Sequence, residues 1–188
     1  ELNLDVAKYR DIWYSTSTAL DRHQTNNGLA ETRFKNYKQT PLHFKFPKDF
    51  HGQLSQKIKK RIKAAIIREK GSNSEREMAY AMHVSGFDVY DIHMTDLING
   101  RENLDDYKFI VAVGGFSNSD VLGSAKGWAG AFLYNPKAKE SLDNFFARED
   151  TLSLGVCNGC QLFVELGLIN PDHTELPKME HNNSGKFE

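Results

Sequence analysis

Apolar positions recur with two different periods along this chain, and the change falls near residue 62. Between Asp5 and Gln24, the residues Val6, Tyr9, Trp13, Thr16 and Leu20 follow one another at steps of three and four, which is one face of an α-helix. Ile12 and Ala19 widen the stripe, and Asp5 is placed to cap the helix start. A single amphipathic helix with an exposed Trp is poorly stable, so this face is expected to pack on something. From Thr25 to Lys63 the periodicity lapses. Asn26-Asn27-Gly28 reads as a turn. Phe34, Tyr37, Leu42, Phe44, Phe46 and Phe50 are scattered among lysines, with Pro41 and Pro47 as breakers. The expectation is an extended connector whose aromatics anchor it. Residues 1–38 are thus assigned to a helical tail and 39–62 to an extended basic and aromatic linker.

Beyond Ile62 the pattern alternates between short apolar runs and helical stretches. Ala64-Ala65-Ile66-Ile67 suits a strand buried on both faces. Arg68-Glu69-Lys70-Gly71-Ser72-Asn73 is a loop at its carboxyl end. Ser74 or Ser72 is placed to cap a helix through Glu75, Met78, Ala79, Met82 and His83, which Gly86 ends. Phe87, Val89, Tyr90 and Ile92 mark a second strand, and Thr95 opens a short helix with Leu97 and Ile98. Phe109-Ile110-Val111-Ala112-Val113 is the clearest strand and runs into Gly114-Gly115-Phe116-Ser117. Residues 120–134 read as helix and loop with small residues, and Pro136 suits the first turn of a helix through Leu142, Phe145 and Phe146. Thr151 to Val156 is a fourth strand. Strands alternating with helices imply an open parallel sheet with right-handed crossovers. Ligands bind such sheets at the carboxyl ends of the strands.

Composition narrows the function classes. The chain has 188 residues and a net charge of −1, with a pI near 6.7, so no global electrostatic case exists for nucleic acid or a membrane surface. Lys57, Lys59, Lys60, Arg61 and Lys63 form a basic run that reads as a solvated linker or helix face. No run approaches a membrane span, and Glu1-Leu2-Asn3-Leu4-Asp5 lacks a signal peptide's basic start and apolar core. The two cysteines stand three apart and form no disulfide framework, so a reducing, cytoplasmic setting is expected.

The chemistry concentrates in Leu152-Ser153-Leu154-Gly155-Val156-Cys157-Asn158-Gly159-Cys160-Gln161-Leu162. This reads as strand, sharp turn and helix with Cys157 at the apex. A nucleophile on such a turn needs neighbours without side chains two residues before and after it, which Gly155 and Gly159 supply. The helix N-terminus behind the thiol offers free N–H groups to a developing oxyanion. The Gly114-Gly115 loop ends the preceding strand on the same side of the sheet. An oxyanion hole is therefore expected from the N–H of Asn158 and one N–H of the glycine loop. Two other readings use the same residues. Cys157-x-x-Cys160 could be a redox pair, but that explains neither Gly155 nor Gly159. Cys157, Cys160, His173 and His181 nearly match zinc-finger spacing, but the last gap is too long. No metal site is expected.

Gly155-Val156-Cys157-Asn158-Gly159-Cys160-Gln161 resembles the nucleophile motif of class I (triad-type) glutamine amidotransferases. Further motifs carry the resemblance to the large, fused form of the formylglycinamide ribonucleotide amidotransferases. These are residues 68–73, Gly114-Gly115-Phe116-Ser117, Asp120 through Ala129 (with Gly123 and Trp128) and His181 through Glu188. The likeness is strong over about residues 60–188, and Arg10-Asp11-Ile12-Trp13 is similar to the segment joining the synthetase half to the glutaminase half.

That resemblance implies a flavodoxin-like sheet with helices on both faces, and a glutaminase domain over residues 63–188. It implies a C–N ligase of purine biosynthesis. ATP, formylglycinamide ribonucleotide, glutamine and water would give the amidine, ADP, phosphate and glutamate. Cys157 matches the nucleophile that forms a glutamyl thioester, and Gly115 and Asn158 match the oxyanion hole. Gly114, Phe116, Gln161, Asn183 and Ser184 match substrate-binding positions. ATP and Mg2+ would belong to the synthetase half, which is the expected partner on the same polypeptide. The family's His and Glu, on an H-x-E motif, have no match after Cys157. The chain is therefore expected to be a piece of a longer enzyme, cut at both ends and nearly inactive alone. Rival readings are a DJ-1/PfpI-like cysteine hydrolase on the same fold, whose usual His after the nucleophile is replaced by Asn158, and a non-catalytic docking domain.

Overall fold

The computed structural model describes residues 2–39, 43–49 and 60–186. The chain divides into two compact units, one of residues 1–51 with 180–188, the other of residues 52–179. Phe50, Lys57 and Lys59 of the expected linker, with Pro41 and Leu42, lie outside the described residues.

The first unit is built on α1 (Val6–Gln24) and α2 (Leu29–Asn36). Asp5 caps α1 by accepting from the Lys8 N–H at 3.1 Å. The second helix interrupts what the sequence presented as an extended connector. Its only buried side chain is Ala30, so it leaves almost no hydrophobic signature. The apolar stripe of α1 also behaves differently from expectation. Val6 and Trp13 are each 81% exposed, and the face turned inward carries Arg10, Thr18 and Asp21. The Arg10 guanidinium lies over the rings of Tyr14, Phe34 and Tyr37, at 3.6 Å from the last, and donates to the Phe34 carbonyl at 3.0 Å. Asp21 pairs with Arg33 and with Lys186. Hydrogen bonds from Lys186 and Thr25 hold its carboxyl below the ordinary range. The polar groups thus pack α1 on α2, which a search for apolar periodicity does not see.

The second unit is an α/β sandwich of layers. Its sheet contains β1 (Ile62–Arg68), β3 (Phe87–His93), β4 (Phe109–Ala112) and β6 (Leu152–Gly155), all parallel, in the spatial order β3-β1-β4-β6. A short antiparallel ladder joins β2 (Ser72–Asn73) to β5 (Gly114–Gly115). Alternate residues of the central strands feed two cores. Ala64, Ile66, Val111 and Val113 face α3 (Glu75–Val84), with Met82. Ala65, Ile67, Ile110 and Ala112 face α4 (Met94–Asn99), α5 (Lys126–Leu133), α6 (Pro136–Phe146) and α7 (Asn158–Glu165). Burial on both faces explains why these strands are continuous apolar runs. Trp128, Phe132 and Phe145, each at most 1% exposed, fill the larger core. The arrangement is flavodoxin-like, with helices on both faces of an open parallel sheet.

Helix starts differ from expectation at two places. Ser74 precedes α3 in the left-handed region and makes no side-chain cap bond. α4 begins at Met94, one residue before Thr95, and His93 caps it in a reciprocal box with Asp96. Tyr107 packs against Tyr90 ahead of β4, and burial pushes its phenol up to about 12. No described helix is long and apolar enough to cross a membrane.

Candidate active site

The chain reverses its direction of travel across the sheet between β1 and β4, so the loops leaving these two strands diverge there and open a crevice. In this protein the loops are stitched together again. The N–H of Phe116 donates to the Gly71 carbonyl at 2.9 Å, and that of Asn118 donates to the Lys70 carbonyl at 2.9 Å. Gly115, at φ +112, could carry no side chain, because a Cβ there would lie 2.5 Å from the Gly71 carbonyl oxygen. This ladder escaped the sequence reading because two residues per strand show no period.

The neighbouring strand β6 delivers the elbow. Val156 donates to the Ala112 carbonyl at 3.0 Å, which holds the turn on the end of β4. Cys157 then takes φ +53 and ψ −111 and precedes α7 directly. That conformation costs a non-glycine residue about 1–3 kcal/mol and persists only where its surroundings enforce it. The two glycines are the enforcement. A Cβ on Gly159 would sit 1.9 Å from the Ala112 carbonyl oxygen, and one on Gly155 would sit 2.7 Å from the Gly159 carbonyl oxygen. Turn and helix therefore lie directly on the backbone of β4.

The elbow and the glycine loop meet. A Cβ built on Gly114 would touch the Cys157 Cβ at 3.3 Å and Sγ at 3.9 Å. Cys157 is exposed and reduced, as is Cys160. The Asn158 N–H opens α7, where a backbone donor has no intrahelical acceptor. The Asn158 side chain is fully buried. Its Oδ1 accepts from the Ser117 N–H at 3.0 Å. Its Nδ2 donates to Gln161 Oε1 at 2.9 Å and to the Asp120 carboxylate at 3.2 and 3.4 Å. Phe116 is 63% exposed at the mouth of this loop.

The structure thus gathers Gly114, Gly115, Phe116, Cys157, Asn158 and Gln161. Asn183 and Ser184 belong to the other unit. The Asn183 carbonyl accepts from Asn27 Nδ2 at 3.1 Å, and the Ser184 carbonyl accepts from the Asn26 N–H at 2.9 Å. Ser184 is 1% exposed there. Ser117 and Asp120 were not singled out from the sequence as site residues. Ser117 reads from the sequence as the end of the glycine loop and Asp120 as the start of the helix-and-loop stretch 120–134, which gives neither a site role. Among the described residues, no side chain hydrogen-bonds Cys157, and no group of three His, Cys, Asp or Glu could hold a metal ion.

A thiol on a strained strand-to-helix turn, faced by a glycine loop at the carboxyl edge of a parallel sheet, defines a domain of the α/β class with an exposed cysteine at a strand–turn–helix elbow. The comparisons with known proteins carry this further. Residues 61–188 match the model of the CobB/CobQ-like glutamine amidotransferase domain, and the chain belongs to that family. It is 40% identical to phosphoribosylformylglycinamidine synthase of Dictyostelium discoideum over 99% of its own length. To the protein of that name from Homo sapiens it is 41% identical over 97% of its length. It spans only 15% of the length of either relative. Among solved structures, PurLQS from Thermotoga maritima aligns with a TM-score of 0.50 at 27% identity, covering 59% of this chain and 47% of that one.

Proposed function

We propose that this chain is the ammonia-releasing part of a phosphoribosylformylglycinamidine synthase, and that Cys157 is its nucleophile. The observation that carries the reading is the close approach of the elbow to Gly114, where an added Cβ would lie 3.3 Å from the Cys157 Cβ and 3.9 Å from its Sγ, in a chain of the glutamine amidotransferase family. The Cys157 sulfur attacks the side-chain amide carbon of glutamine and a C–S bond forms. The carbonyl oxygen takes the negative charge between the N–H groups of Gly115 and Asn158. Collapse breaks the C–N bond, and ammonia leaves carrying the added proton. Water then attacks the thioester, giving glutamate and the free thiol. Gly114, Phe116 and Gln161 are assigned to holding the glutamine chain because they match the substrate-binding positions of the motif resemblance and lie in the loops beside Cys157. The substrate roles of Asn183 and Ser184 rest on the motif resemblance.

The leaving amine needs a proton, and a thiol at a helix terminus does not supply a base to shuttle it. We propose that a histidine and glutamate pair, as the family's H-x-E motif implies, carries that proton, and that glutamine turns over slowly without such a pair. In the complete reaction the ammonia would be transferred to formylglycinamide ribonucleotide by an ATP- and Mg2+-dependent synthetase half in the cytoplasm.

Binding is testable without turnover. Glutamine added to the chain should slow alkylation of Cys157 by iodoacetamide, whereas asparagine and glutamate at the same concentration should not. Equal rates in the presence of all three amino acids would overturn the assignment of this pocket to glutamine.

A further inference from the structure

The oxyanion hole of the proposed reaction is made by two separate segments. One donor, the Gly115 N–H, belongs to the loop after β4, and the other, the Asn158 N–H, belongs to α7. The backbone of β4 carries both the elbow and the start of the glycine loop, and one side chain adds a direct tie between the two segments. Asn158 follows the nucleophile, and its buried amide reaches across to Ser117, two residues beyond Gly115, and to Asp120 at the end of the same loop.

We infer that Asp120 is a positioning residue for glutaminase chemistry, acting through the side chain of Asn158. The inference rests on the reading of Cys157 given above. The chemistry of the partners sets the orientation of the amide. The Ser117 N–H only donates and an ionised carboxylate only accepts, so only one end of the Asn158 amide satisfies each. With Nδ2 directed to Asp120 and Gln161, Oδ1 is left to hold the Ser117 N–H. Both N–H bonds of the amide nitrogen are thereby used on a side chain that is itself fully buried, where an unmade bond is costly.

The backbone shows what the latch works against. Asn118, Ser119 and Asp120 are consecutive non-glycine residues at φ +51, +57 and +47, a conformation that L-residues visit singly and not in runs. Such a segment keeps its shape only when surrounding contacts over-determine it. The bond from the Asn118 N–H to the Lys70 carbonyl fixes one side of the run. The Asn158 amide fixes the other. Releasing Asp120 from Asn158 lets the run relax and moves the Gly115 donor relative to the Asn158 donor. The thiol is left where the glycines of the elbow hold it.

Two reagents separate these effects. A chloroketone analogue of glutamine alkylates through a carbonyl whose oxygen occupies the oxyanion position, with chloride as the leaving group. Iodoacetamide needs only the thiol. In the full chain, Asp120→Ala should slow chloroketone labelling of Cys157 by about tenfold or more, against the 10²–10³ lost when an oxyanion donor is removed outright. Iodoacetamide labelling should change by less than about twofold on the same scale. Asp120→Asn, which retains an acceptor for Nδ2, should recover most of the chloroketone rate, and fluorescence of the buried Trp128 checks that each variant is folded. Equal slowing with both reagents, or a parent-like chloroketone rate in Asp120→Ala, would overturn the positioning role. Failure of the chloroketone to mark Cys157 in the parent chain would instead overturn the reading of the nucleophile, and this inference with it.

Discussion

Replacing Gly159 by Ala puts a methyl group where the backbone of β4 already stands. The new Cβ would lie 1.9 Å from the Ala112 carbonyl oxygen, where real Cβ atoms keep at least 3.0 Å. The gap must therefore open by about 1.1 Å. Neither side is free to yield. Ala112 is fully buried in a strand paired on both edges, and its carbonyl accepts the Val156 N–H. Overpacking of this kind costs about 1–3 kcal/mol, with values near the top expected where backbone is struck. Ala gains up to about 1 kcal/mol over Gly in helix propensity. The net loss is about 2 kcal/mol, which at a urea dependence of about 1–3 kcal/mol per molar lowers the midpoint by about 1 M. Urea unfolding followed by Trp fluorescence reads this directly, since Trp128 is fully buried in the α/β unit and Trp13 is 81% exposed in the other. Gly130→Ala is the control of opposite sign. Its Cβ would meet the Tyr134 ring at an ordinary 3.6 Å, so the helix gain survives and the midpoint rises by about 0.5 M. The shift of α7 also displaces the elbow, and a 1 Å misplacement costs about 10²-fold in rate, so chloroketone labelling should fall as well. A Gly159→Ala chain with the parental midpoint and labelling rate would refute the packing argument.

Two further outcomes follow from the same structure. Phe145→Ala empties a fully buried site in the larger core and should cost about 3–5 kcal/mol, read as a urea midpoint; a loss below about 1 kcal/mol would show that the core collapses around it. Tyr107, with its phenol raised to about 12 by burial, holds its proton more tightly folded than unfolded. Its contribution is therefore complete below pH 10 and is lost as pH rises toward 12. That loss is on the order of 1–2 kcal/mol after solvent screening is allowed for. Tyr107→Phe should flatten that part of the stability profile, and an unchanged slope would contradict the assignment.

The parallel sheet and the elbow were legible in the sequence for a shared reason. Ala64 to Ile67 and Phe109 to Val113 are apolar without interruption because helices cover both faces, and Gly155 and Gly159 are required by contacts with backbone. What remained hidden has no apolar signature. The helix Leu29–Asn36 buries one alanine. The first helix packs through Arg10 and Asp21, not through its apolar stripe. The Ser72–Asn73 and Gly114–Gly115 ladder is too short for a period. The bond between Asn158 and Asp120 spans 38 residues and pairs residue types that are usually solvated, so only the folded backbone reveals it.

The central claim is that Cys157, and not Cys160, is the thiol that meets glutamine, and peptide mapping after chloroketone treatment tests it most directly. The account predicts one adduct per chain on the peptide carrying Cys157, unchanged in Cys160→Ser, absent in Cys157→Ser and suppressed by glutamine. The two cysteines share a tryptic peptide, so fragment-ion assignment decides between them. An adduct forming first on Cys160, or on neither residue, would contradict the account.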